Sequence, residues 1–414
     1  MPAKTDVCIL FVDDEPHVLQ GLKRVLRPLS RRWRLLFAES GREALTVLEK
    51  ERCDVLVTDM CMPGMSGAEL LEESRRLYPE MVRMILSGQT DQEQVLKTFG
   101  SAHVYLSKPS DEATITKVVK RALDLRGLLP DEHLRRAVSR LRFLPVRPDV
   151  YEALLPALAG PAADLDLAAD LVSQDQGLAV KVLQVINSPF FGLSRSELDI
   201  KASVKLLGLE RLEALMNNYR LFLESRKPPL DSPWLKRVWR HSVLSARLGR
   251  LVAQGLDLSR SLCSAAYTAG LLHGTGRLVL AACRPEECEQ ALATALREKT
   301  PWRREEQEVI GVTHAEVGGF LMGLWGLPQE LVSALLFHHT PREGEAEDPL
   351  LPGLLHVSDY LAYRVDRPHE VHLFGDLDLD VLAGLGWADH LERWTALGRG
   401  LIKEMEKEGR LKDG

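Results

Sequence analysis

Five short apolar runs, separated by amphipathic stretches, constrain the first 126 residues more than any other feature of the chain. The runs are VCILFV, WRLLFA, DVLVT, VRMIL and VYL, and helical periodicity follows them from near Pro16, Gly41, Gly67, Asp91 and Asp111. Strands that alternate with helices in this way form a parallel sheet covered on both faces. The pattern therefore predicts a doubly wound α/β fold with ligands at the carboxyl ends of the strands.

Beyond this region the periodicity is almost entirely helical, which predicts an all-α second half. Gly127 and Pro130 mark a joint between the halves, and Asp131 stands where a new helix is expected to start. We expect an α/β domain over residues 1–126, a joint over 127–136 and a helical domain over 137–340. Residues 341–414 are expected to form a helical extension that packs on the helical domain.

Composition fits a folded protein of two or three domains, since 45% of the 414 residues are hydrophobic and 27% are charged. The net charge of -6 gives no general reason to expect a nucleic acid or an anionic membrane as partner. No secretory leader or apolar run of membrane-spanning length is found, so we expect a cytoplasmic protein. No helix-turn-helix with a basic reading helix is found, and sequence-specific DNA binding is not expected.

The cysteines are scattered and form no C-x-x-C pair: Cys8, Cys53, Cys61, Cys263, Cys283 and Cys288. This spacing favours ordinary reduced thiols, with a zinc site or a redox switch as the alternatives.

Charged side chains follow three of the predicted strands. Asp13 and Asp14 follow the first run, Asp59 follows the third and Lys108 follows the fifth, while Ser87 follows the fourth. The carboxyl ends of parallel strands meet at one edge, so three carboxylates and one ammonium should converge and attract a hard cation such as Mg²⁺. Asp59 could then act as a nucleophile toward a phosphoryl group, with Lys108 offsetting charge and Ser87 donating a hydrogen bond. The alternative is that these aspartates only cap helices.

Residues 6 to about 125 resemble a response-regulator receiver domain, which has a flavodoxin-like sheet. The resemblance rests on Val12-Asp13-Asp14-Glu15, Asp59 before MCMPGMSG, Ser87-Gly88 and Lys108-Pro109. It implies that a sensor histidine kinase phosphorylates Asp59. It further implies that Asp14 binds Mg²⁺ directly beside Asp13 and Asp59, with the Met60 carbonyl as another ligand. Ser87 and Tyr105 would be the switch pair, and a homodimer could form through the receiver.

The helical half contains a series of histidines with a late aspartate. Histidines from several helices commonly build metal sites in bundles. The series resembles the ligand set of the HD superfamily of phosphohydrolases: His241, His273, His314, His338, His339 and Asp359. In those enzymes an aspartate follows the second histidine, whereas this chain has Gly274 in the stretch GLLHGTG.

Residues 137 to 340 also resemble the HDOD family, non-hydrolytic relatives of the HD enzymes. The segments are FLPVRPDVYEALLPAL, SQDQGLAVKVLQVINSPFFG with Asn187-Ser188, and ASVKLLGLERLEALM. Gly274 cannot supply the carboxylate that would bridge two cations, which disfavours a dinuclear hydrolytic centre. Glycine is also the favoured residue just past a helix C-terminus, so Gly274 can be explained by the backbone alone.

Together these features predict a response regulator whose catalytically inactive HDOD output acts by binding a downstream signalling protein. The expected cofactor is Mg²⁺ at the receiver site. Two alternatives stay open for the helical pocket: residual phosphodiesterase activity toward a cyclic dinucleotide, or binding of such a nucleotide without cleavage. Retention of a single metal ion by the histidines is a further, less favoured alternative.

Overall fold

A computed structural model of the protein describes residues 7–88, 100–159, 163–193, 195–225, 233–342 and 349–407. The helix expected near Asp91 lies outside these residues. Over the described parts, an α/β half is followed by a half made of helices, turns and loops. The predicted fold class is therefore confirmed.

A five-stranded sheet forms the centre of the first half. Its strands are β1 (Val7–Val12), β2 (Trp33–Ala38), β3 (Val55–Thr58), β4 (Val82–Ser87) and β5 (Val104–Ser107). They lie in the order β2-β1-β3-β4-β5, and every neighbouring pair is parallel. Each predicted apolar run forms one strand, and β3 and β4 are buried along their whole length. Burial on both faces explains why these runs are apolar throughout rather than alternating.

Four described helices surround the sheet: α1 (Pro16–Val25), α2 (Gly41–Lys50), α3 (Gly67–Leu77) and α4 (Glu112–Asp124). Ser40 and Asp111 cap α2 and α4 by accepting hydrogen bonds from backbone N–H groups of the first turn. Ser66 and Glu69 form a reciprocal capping box at the start of α3. These caps fix the loops that connect the carboxyl ends of the strands to the helices.

Helices form the regular structure of the second half. They are α5 (Glu132–Ser139), α6 (Pro148–Leu158), α7 (Leu165–Val172), α8 (Gln176–Ile186), α9 (Ile200–Leu207), α10 (Leu209–Ser225), α11 (Pro233–Gly255), α12 (Arg260–Leu272), α13 (Thr275–Cys283), α14 (Pro285–Glu298), α15 (Trp302–Ile310), α16 (His314–Leu324), α17 (Gln329–Phe337), α18 (Leu350–Asp366), α19 (Leu379–Gly384) and α20 (Leu391–Lys407). Asp131 caps α5 through the N–H groups of His133 and Leu134, which confirms the predicted helix start. None of the described helices combines the length and apolar character needed to cross a bilayer.

Glycines allow the helices of the second half to pack with their backbones in contact. A Cβ atom on Gly270 of α12 would lie 2.6 Å from the Ala246 Cα atom of α11. A Cβ atom on Gly276 of α13 would lie 1.8 Å from the His314 carbonyl oxygen at the start of α16. No side chain fits at either crossing, so these glycines set the distances between the helices that carry the histidines.

The second half packs against the β5 edge of the sheet. The Gln184 side chain in α8 donates a hydrogen bond of 3.0 Å to the carbonyl oxygen of His103, the residue before β5. Arg121 of α4 donates to the carbonyl oxygen of Leu327, which lies between α16 and α17. The receiver-like half therefore contacts the helical half through both β5 and α4.

A buried lysine lies beside this interface. The Lys181 ammonium lies 3.6 Å from the centroid of the Trp325 ring and 5.2 Å from that of Phe143, and it donates a hydrogen bond of 2.8 Å to Gln184 Oε1. Burial lowers the pKa of Lys181 well below its ordinary value, and the positive charge of Arg142 acts in the same direction. The ring faces and the amide oxygen compensate part of the cost of burying this group.

The joint between the halves is held by a second set of buried polar groups. Arg83 of β4 donates a hydrogen bond of 2.6 Å to the carbonyl oxygen of Ser139, the last residue of α5. The His103 ring lies 2.6 Å from the same guanidinium and 3.2 Å from the same carbonyl oxygen. The end of α5 is thereby fixed to the sheet.

We predict that Gly276→Ala lowers the free energy of unfolding by roughly 1–3 kcal/mol, the usual cost of overpacking, because the added methyl group meets a backbone carbonyl. Gly21→Ala in α1 is the matched control: a Cβ atom there has nothing within 4 Å, and the change should raise stability by about 0.4–1 kcal/mol. Urea unfolding followed by circular dichroism measures both. Equal stability of the two variants would contradict the close crossing of α13 and α16.

Candidate functional sites

Two aspartates and a lysine meet at the carboxyl edge of the sheet. Lys108, which follows β5, places its ammonium 2.6 Å from Asp13 Oδ2 after β1 and in direct contact with Asp59 Oδ1 after β3. Asp13 and Asp59 are buried, and Asp14 beside them is partly exposed. The structure thus brings together Asp13, Asp59 and Lys108, three of the side chains that the strand-end argument predicted to converge.

Backbone groups fix the orientation of both buried carboxylates. Cys61 N–H donates to Asp59 Oδ2 at 2.7 Å, and Glu15 N–H donates to Asp13 Oδ1 at 3.0 Å. Gly67 N–H donates to the Met60 carbonyl oxygen at 3.0 Å. A Cβ atom on Gly67 would lie 1.9 Å from the Asp59 carbonyl oxygen, so the loop after β3 closes tightly only with glycine there.

Burial raises the pKa of the Asp59 carboxyl, and the hydrogen bond and charge of Lys108 oppose that rise. For Lys108, burial is the largest single effect and lowers the pKa, but its contacts with Asp13 and Asp59 outweigh it and raise the pKa overall. One ammonium therefore stands against the two buried carboxyl groups of Asp13 and Asp59. This surplus of negative charge fits a hard divalent cation with oxygen ligands.

Ser87 and Tyr105 lie on the neighbouring strands β4 and β5. Ser87 is buried at the end of β4, and the Lys108 N–H donates to its carbonyl oxygen at 2.8 Å. Tyr105 is fully buried, and its hydroxyl oxygen accepts hydrogen bonds from Gly100 N–H at 2.8 Å and Ala102 N–H at 3.4 Å. Burial raises the pKa of Tyr105 to about 12. The tyrosine side chain is thus held inside the domain, and its own strand, β5, is the one that contacts the helical half.

The second cluster gathers four histidines around one aspartate of α18. The closest contact joins His241 Nε2 of α11 to Asp359 Oδ1 at 2.6 Å. His273 Nε2 lies 3.5 Å from the same oxygen, and the Nε2 atoms of His338 and His339 lie 3.7 and 4.0 Å from Oδ2. Two groups of three have the spacing of metal ligands: His241, His273 and Asp359, and His314, His338 and His339.

Hydrogen bonds to Nδ1 determine which ring nitrogens carry protons. The Nδ1 atoms of His273 and His338 lie 2.7 and 2.8 Å from backbone carbonyl oxygens three residues earlier. His314 Nδ1 lies 2.6 Å from the Glu306 carboxylate. Carbonyl and carboxylate oxygens only accept, so Nδ1 carries the proton in each ring and Nε2 of the neutral ring keeps a lone pair.

The Nε2 lone pairs of His314 and His338 face each other. His314 Nε2 lies 3.4 Å from His338 Nε2 and 3.3 Å from His339 Nε2. His273 Nε2 is buried and has no hydrogen-bond partner among the described residues. Facing lone pairs gain nothing from one another, whereas a cation between them would be coordinated in the manner usual for protein histidines, with the other ring nitrogen donating to a carbonyl or carboxylate.

Burial keeps the imidazoles of His273, His338 and His339 neutral, which is the state that can bind a metal. Burial lowers the pKa of His273 to about 3, although Asp359 opposes the shift. Burial also lowers the pKa of His338 and His339 well below the ordinary value. Burial alone would raise the pKa of Asp359, but His273 and His241 hold it well below its ordinary value. Neutral imidazoles around an ionised carboxylate are the protonation states that bind metals.

Gly274 has a steric explanation rather than a conformational one. Its φ of -78° is accessible to any residue, so the backbone does not require glycine. A Cβ atom would lie 2.6 Å from Ser242 Oγ and 3.3 Å from Gln176 Nε2. Gln176 itself donates to Ser242 Oγ and to the Leu271 carbonyl oxygen, both at 2.8 Å. The space in which a carboxylate would project is therefore occupied by a hydrogen-bonded pair of side chains.

Sequence reasoning missed one acidic residue of this cluster, Glu306. The Glu306 carboxylate of α15 accepts hydrogen bonds from His314 Nδ1 at 2.6 Å and from Arg277 Nε at 2.8 Å. The Arg277 guanidinium also lies 3.9 Å from the centroid of the Trp302 ring. Glu306 lies in the run REEQE, which looks like a solvated helix face. The signal that was available was Arg277, which closes the stretch HGTGR on an otherwise apolar helix.

Access to the histidine cluster is narrow. The cleft beside His241, lined by Arg237, Tyr363 and Asp366, has a volume of about 10 Å³ for the centre of a water-sized molecule. That is room for about one water. This cleft is too small to hold a nucleotide.

Comparisons with known proteins agree with this architecture. Residues 9–120 match the response regulator receiver domain, and residues 144–341 match the HDOD domain. An uncharacterized protein of Treponema pallidum is 27% identical over 62% of this chain and 50% of its own length. The hydrogenase transcriptional regulatory protein HoxA of Cupriavidus necator is 34% identical over 30% of this chain and 26% of its own length. The chain thus spans half or less of these curated relatives.

Among solved structures, the MmoQ response regulator from Methylococcus capsulatus is 25% identical, covers 61% of this chain and 98% of its own, and superposes with a TM-score of 0.45. The sheet, its strand-end cluster and the helical half with its histidines each correspond to one of the two matched families. The chain is therefore a response regulator that joins a receiver domain, residues 9–120, to an HDOD domain, residues 144–341.

Proposed function

We propose that Asp59 accepts a phosphoryl group from a sensor histidine kinase and that the HDOD domain, without hydrolysing anything, passes the signal on by binding a downstream protein. Residues 1–126 would act as the input unit, 127–136 as the joint, 137–340 as the output unit and 341–414 as its extension. The observation that carries this proposal is the cluster of Asp13, Asp59 and Lys108.

The geometry around Asp59 suits an attacking carboxylate. Lys108 contacts Oδ1 and Cys61 N–H donates to Oδ2, so the carboxylate is held in one orientation before a donor arrives. An Asp59 oxygen would bond to phosphorus as the bond from phosphorus to the histidine nitrogen of the kinase breaks, and the kinase histidine would keep the electron pair. Lys108 would offset the charge on the transferred oxygens, and the Ser87 hydroxyl would donate to one of them.

Receiver domains generally bind Mg²⁺, and the residues here fit that ion. Asp13, Asp14 and Asp59 would supply carboxylate oxygens, and the Met60 carbonyl would be a further ligand. When bound, Mg²⁺ would neutralise charge on the carboxylates and the phosphoryl oxygens. The surplus of carboxylates over ammonium groups supports this assignment.

The route from Asp59 to the helical half would run through β5. Ser87 and Tyr105 lie on β4 and β5, and His103 just before β5 is bound by Gln184 of the HDOD domain. A rearrangement of the proposed switch residues would therefore act on an interface that already exists. We call the arrangement with the two domains in contact closed, and one with the domains separated open. Phosphate can shift the populations of these two arrangements only by the difference in its interactions with them.

The same interface bears on the proposed receiver homodimer. In this arrangement β5 and α4 are covered by the HDOD domain, through Gln184 and Leu327. A second receiver could use this surface only after the domains separate. Phosphorylation would then couple domain opening to dimerisation.

A second candidate function concerns the histidine cluster: we propose that it holds a transition-metal ion, such as Zn²⁺, in a structural role. The facing Nε2 lone pairs of His314 and His338, and the unpartnered Nε2 of His273, favour it. Imidazole with one carboxylate is a suitable donor set for such metals. Gly274 and the narrow cleft argue against hydrolysis and against a bound cyclic dinucleotide.

We predict that Asp59→Asn abolishes phosphorylation by a small phosphoryl donor, because the amide is not a nucleophile, and abolishes the change in oligomer size produced by beryllofluoride. Intact-mass spectrometry and size-exclusion chromatography measure the two effects. Asp111→Asn, at the exposed cap of α4, is the matched control and should respond like the parent protein. An Asp59→Asn protein that still responds would refute the assignment.

We predict that Arg121→Ala favours the open arrangement about tenfold or more, because it removes a hydrogen bond from a charged donor worth about 1.5–3 kcal/mol. Small-angle X-ray scattering should show a larger radius of gyration. Lys120→Ala is the control, since Lys120 is exposed on the same helix. Indistinguishable scattering from both variants would contradict an interface held by Arg121.

We predict that the full chain, incubated with Zn²⁺ and desalted, retains metal in elemental analysis, and that His273→Ala reduces the amount at least by half. His369→Ala, at an exposed histidine, is the control. No retained metal, or equal retention in both variants, would rule out the metal centre. Turnover of a cyclic dinucleotide that disappears in His273→Ala would instead establish a hydrolase.

A further inference from the structure

Two cysteines meet at the amino-terminal edge of the sheet, opposite to Asp59. Cys8 is the second residue of β1 and is buried, and Cys53 precedes β3 and is partly exposed. Their Sγ atoms lie 3.4 Å apart. They are 45 residues apart in sequence, and only the pairing of β1 with β3 brings them together.

One member of the pair, Cys53, can be reached from solvent, and Cys8 lies behind it. Cys53 lines an open cavity of about 320 Å³, together with Glu51, Asp54, Tyr78 and Arg126. A cavity of this size admits small solutes, and its mixed polar walls admit water.

The surroundings favour a thiolate on one of the two sulfurs. The hydrogen bond from the Cys53 thiol lowers the pKa of Cys8, and the charge of Arg34 adds to the lowering. Burial and the carboxylates of Asp54 and Glu51 oppose it, but the pKa is lowered overall. Arg34 is itself held by Glu51 through hydrogen bonds of 2.8 and 2.6 Å. A thiolate beside a thiol and a guanidinium is the reactive form of cysteine.

We propose that Cys8 and Cys53 are a redox-active dithiol that hydrogen peroxide or another small hydroperoxide converts reversibly into a disulfide. The Cys8 thiolate attacks one peroxide oxygen, the O–O bond breaks, and the leaving hydroxide takes a proton to become water. Cys53 then attacks the sulfenic sulfur of Cys8, the S–O bond breaks, and a second water leaves. Two thiols lose two electrons and two protons, and one peroxide is reduced to two waters.

Disulfide formation would change the hydrogen bonds that lead to the joint between the domains. Asp54, next to Cys53, accepts a hydrogen bond of 2.9 Å from Cys8 N–H and binds Arg126 at 2.6 Å. Arg126 lies in the 3₁₀ turn Leu125–Leu128 that leads into the joint. The sulfurs must approach to about 2.05 Å to bond, so oxidation draws Cys53 toward β1 and shifts its neighbour Asp54. This redox input is separate from phosphorylation of Asp59.

The test uses the full chain, fully reduced, freed of reductant and treated with one equivalent of hydrogen peroxide. Alkylation and peptide mass spectrometry should find a peptide pair joined through Cys8 and Cys53, lighter by two hydrogens and restored by dithiothreitol. Cys53→Ser should lack the bridge and accumulate a sulfenic acid on Cys8 that dimedone traps. Cys61→Ser removes an exposed thiol of the same domain, and Asp59→Asn removes the proposed phosphoacceptor. Both should form the bridge normally.

Oxidation of the parent protein without a linkage of Cys8 to Cys53 would overturn the proposal, as would a Cys8 that stays unmodified in Cys53→Ser. Thermal unfolding of each variant shows that it is folded. Hydrogen exchange at residues 125–129 should change on oxidation of the parent protein and not of Cys53→Ser. Unchanged exchange in a bridged protein would overturn the coupling to the joint.

Discussion

The ammonium of Lys108 is the contact on which the arrangement of the first half depends, because it joins the ends of three strands at once. It follows β5 and contacts the carboxylates that follow β1 and β3. Without it, two buried carboxylates would face each other across the edge of the sheet, which is costly in a region of low polarity. The lysine offsets part of the negative charge of the cluster, and the charge that remains would favour the proposed cation.

β5 also links this cluster to the rest of the molecule. Its carboxyl end leads to Lys108, and the residue before it, His103, is bound by Gln184 of the helical half. One continuous hydrophobic core extends through both halves, so the two domains are packed together rather than tethered. Yet the contact includes polar groups and a buried lysine whose burial is only partly compensated. In the proposed switch, these polar groups are the part of the interface that water could solvate if the domains separated.

The strands, the start of α5 at Asp131 and the convergence at Asp59 were predictable because each depends on local patterns: apolar runs, capping residues and the geometry of parallel strand ends. The hydrogen bond from Gln184 to the His103 carbonyl oxygen was not predictable, because it depends on how two separately folded domains dock. The pair of Cys8 and Cys53 was missed for a related reason. The spacing of cysteines says nothing about register between strands, and a one-residue shift would have separated the sulfurs.

The stretch GLLHGTG shows how structure changes the meaning of a missing residue. Its glycine is not needed for a left-handed turn, as the sequence alone would allow, and it leaves no hole, because Ser242 and Gln176 occupy the space. Restoring an aspartate would therefore require changes at those positions as well. The imidazoles of His314 and His338 nevertheless keep their Nε2 lone pairs directed at each other. The cluster thus offers donor atoms suited to a cation while Gly274 withholds the second carboxylate of the HD enzymes, so metal retention and hydrolysis are separate questions for this domain.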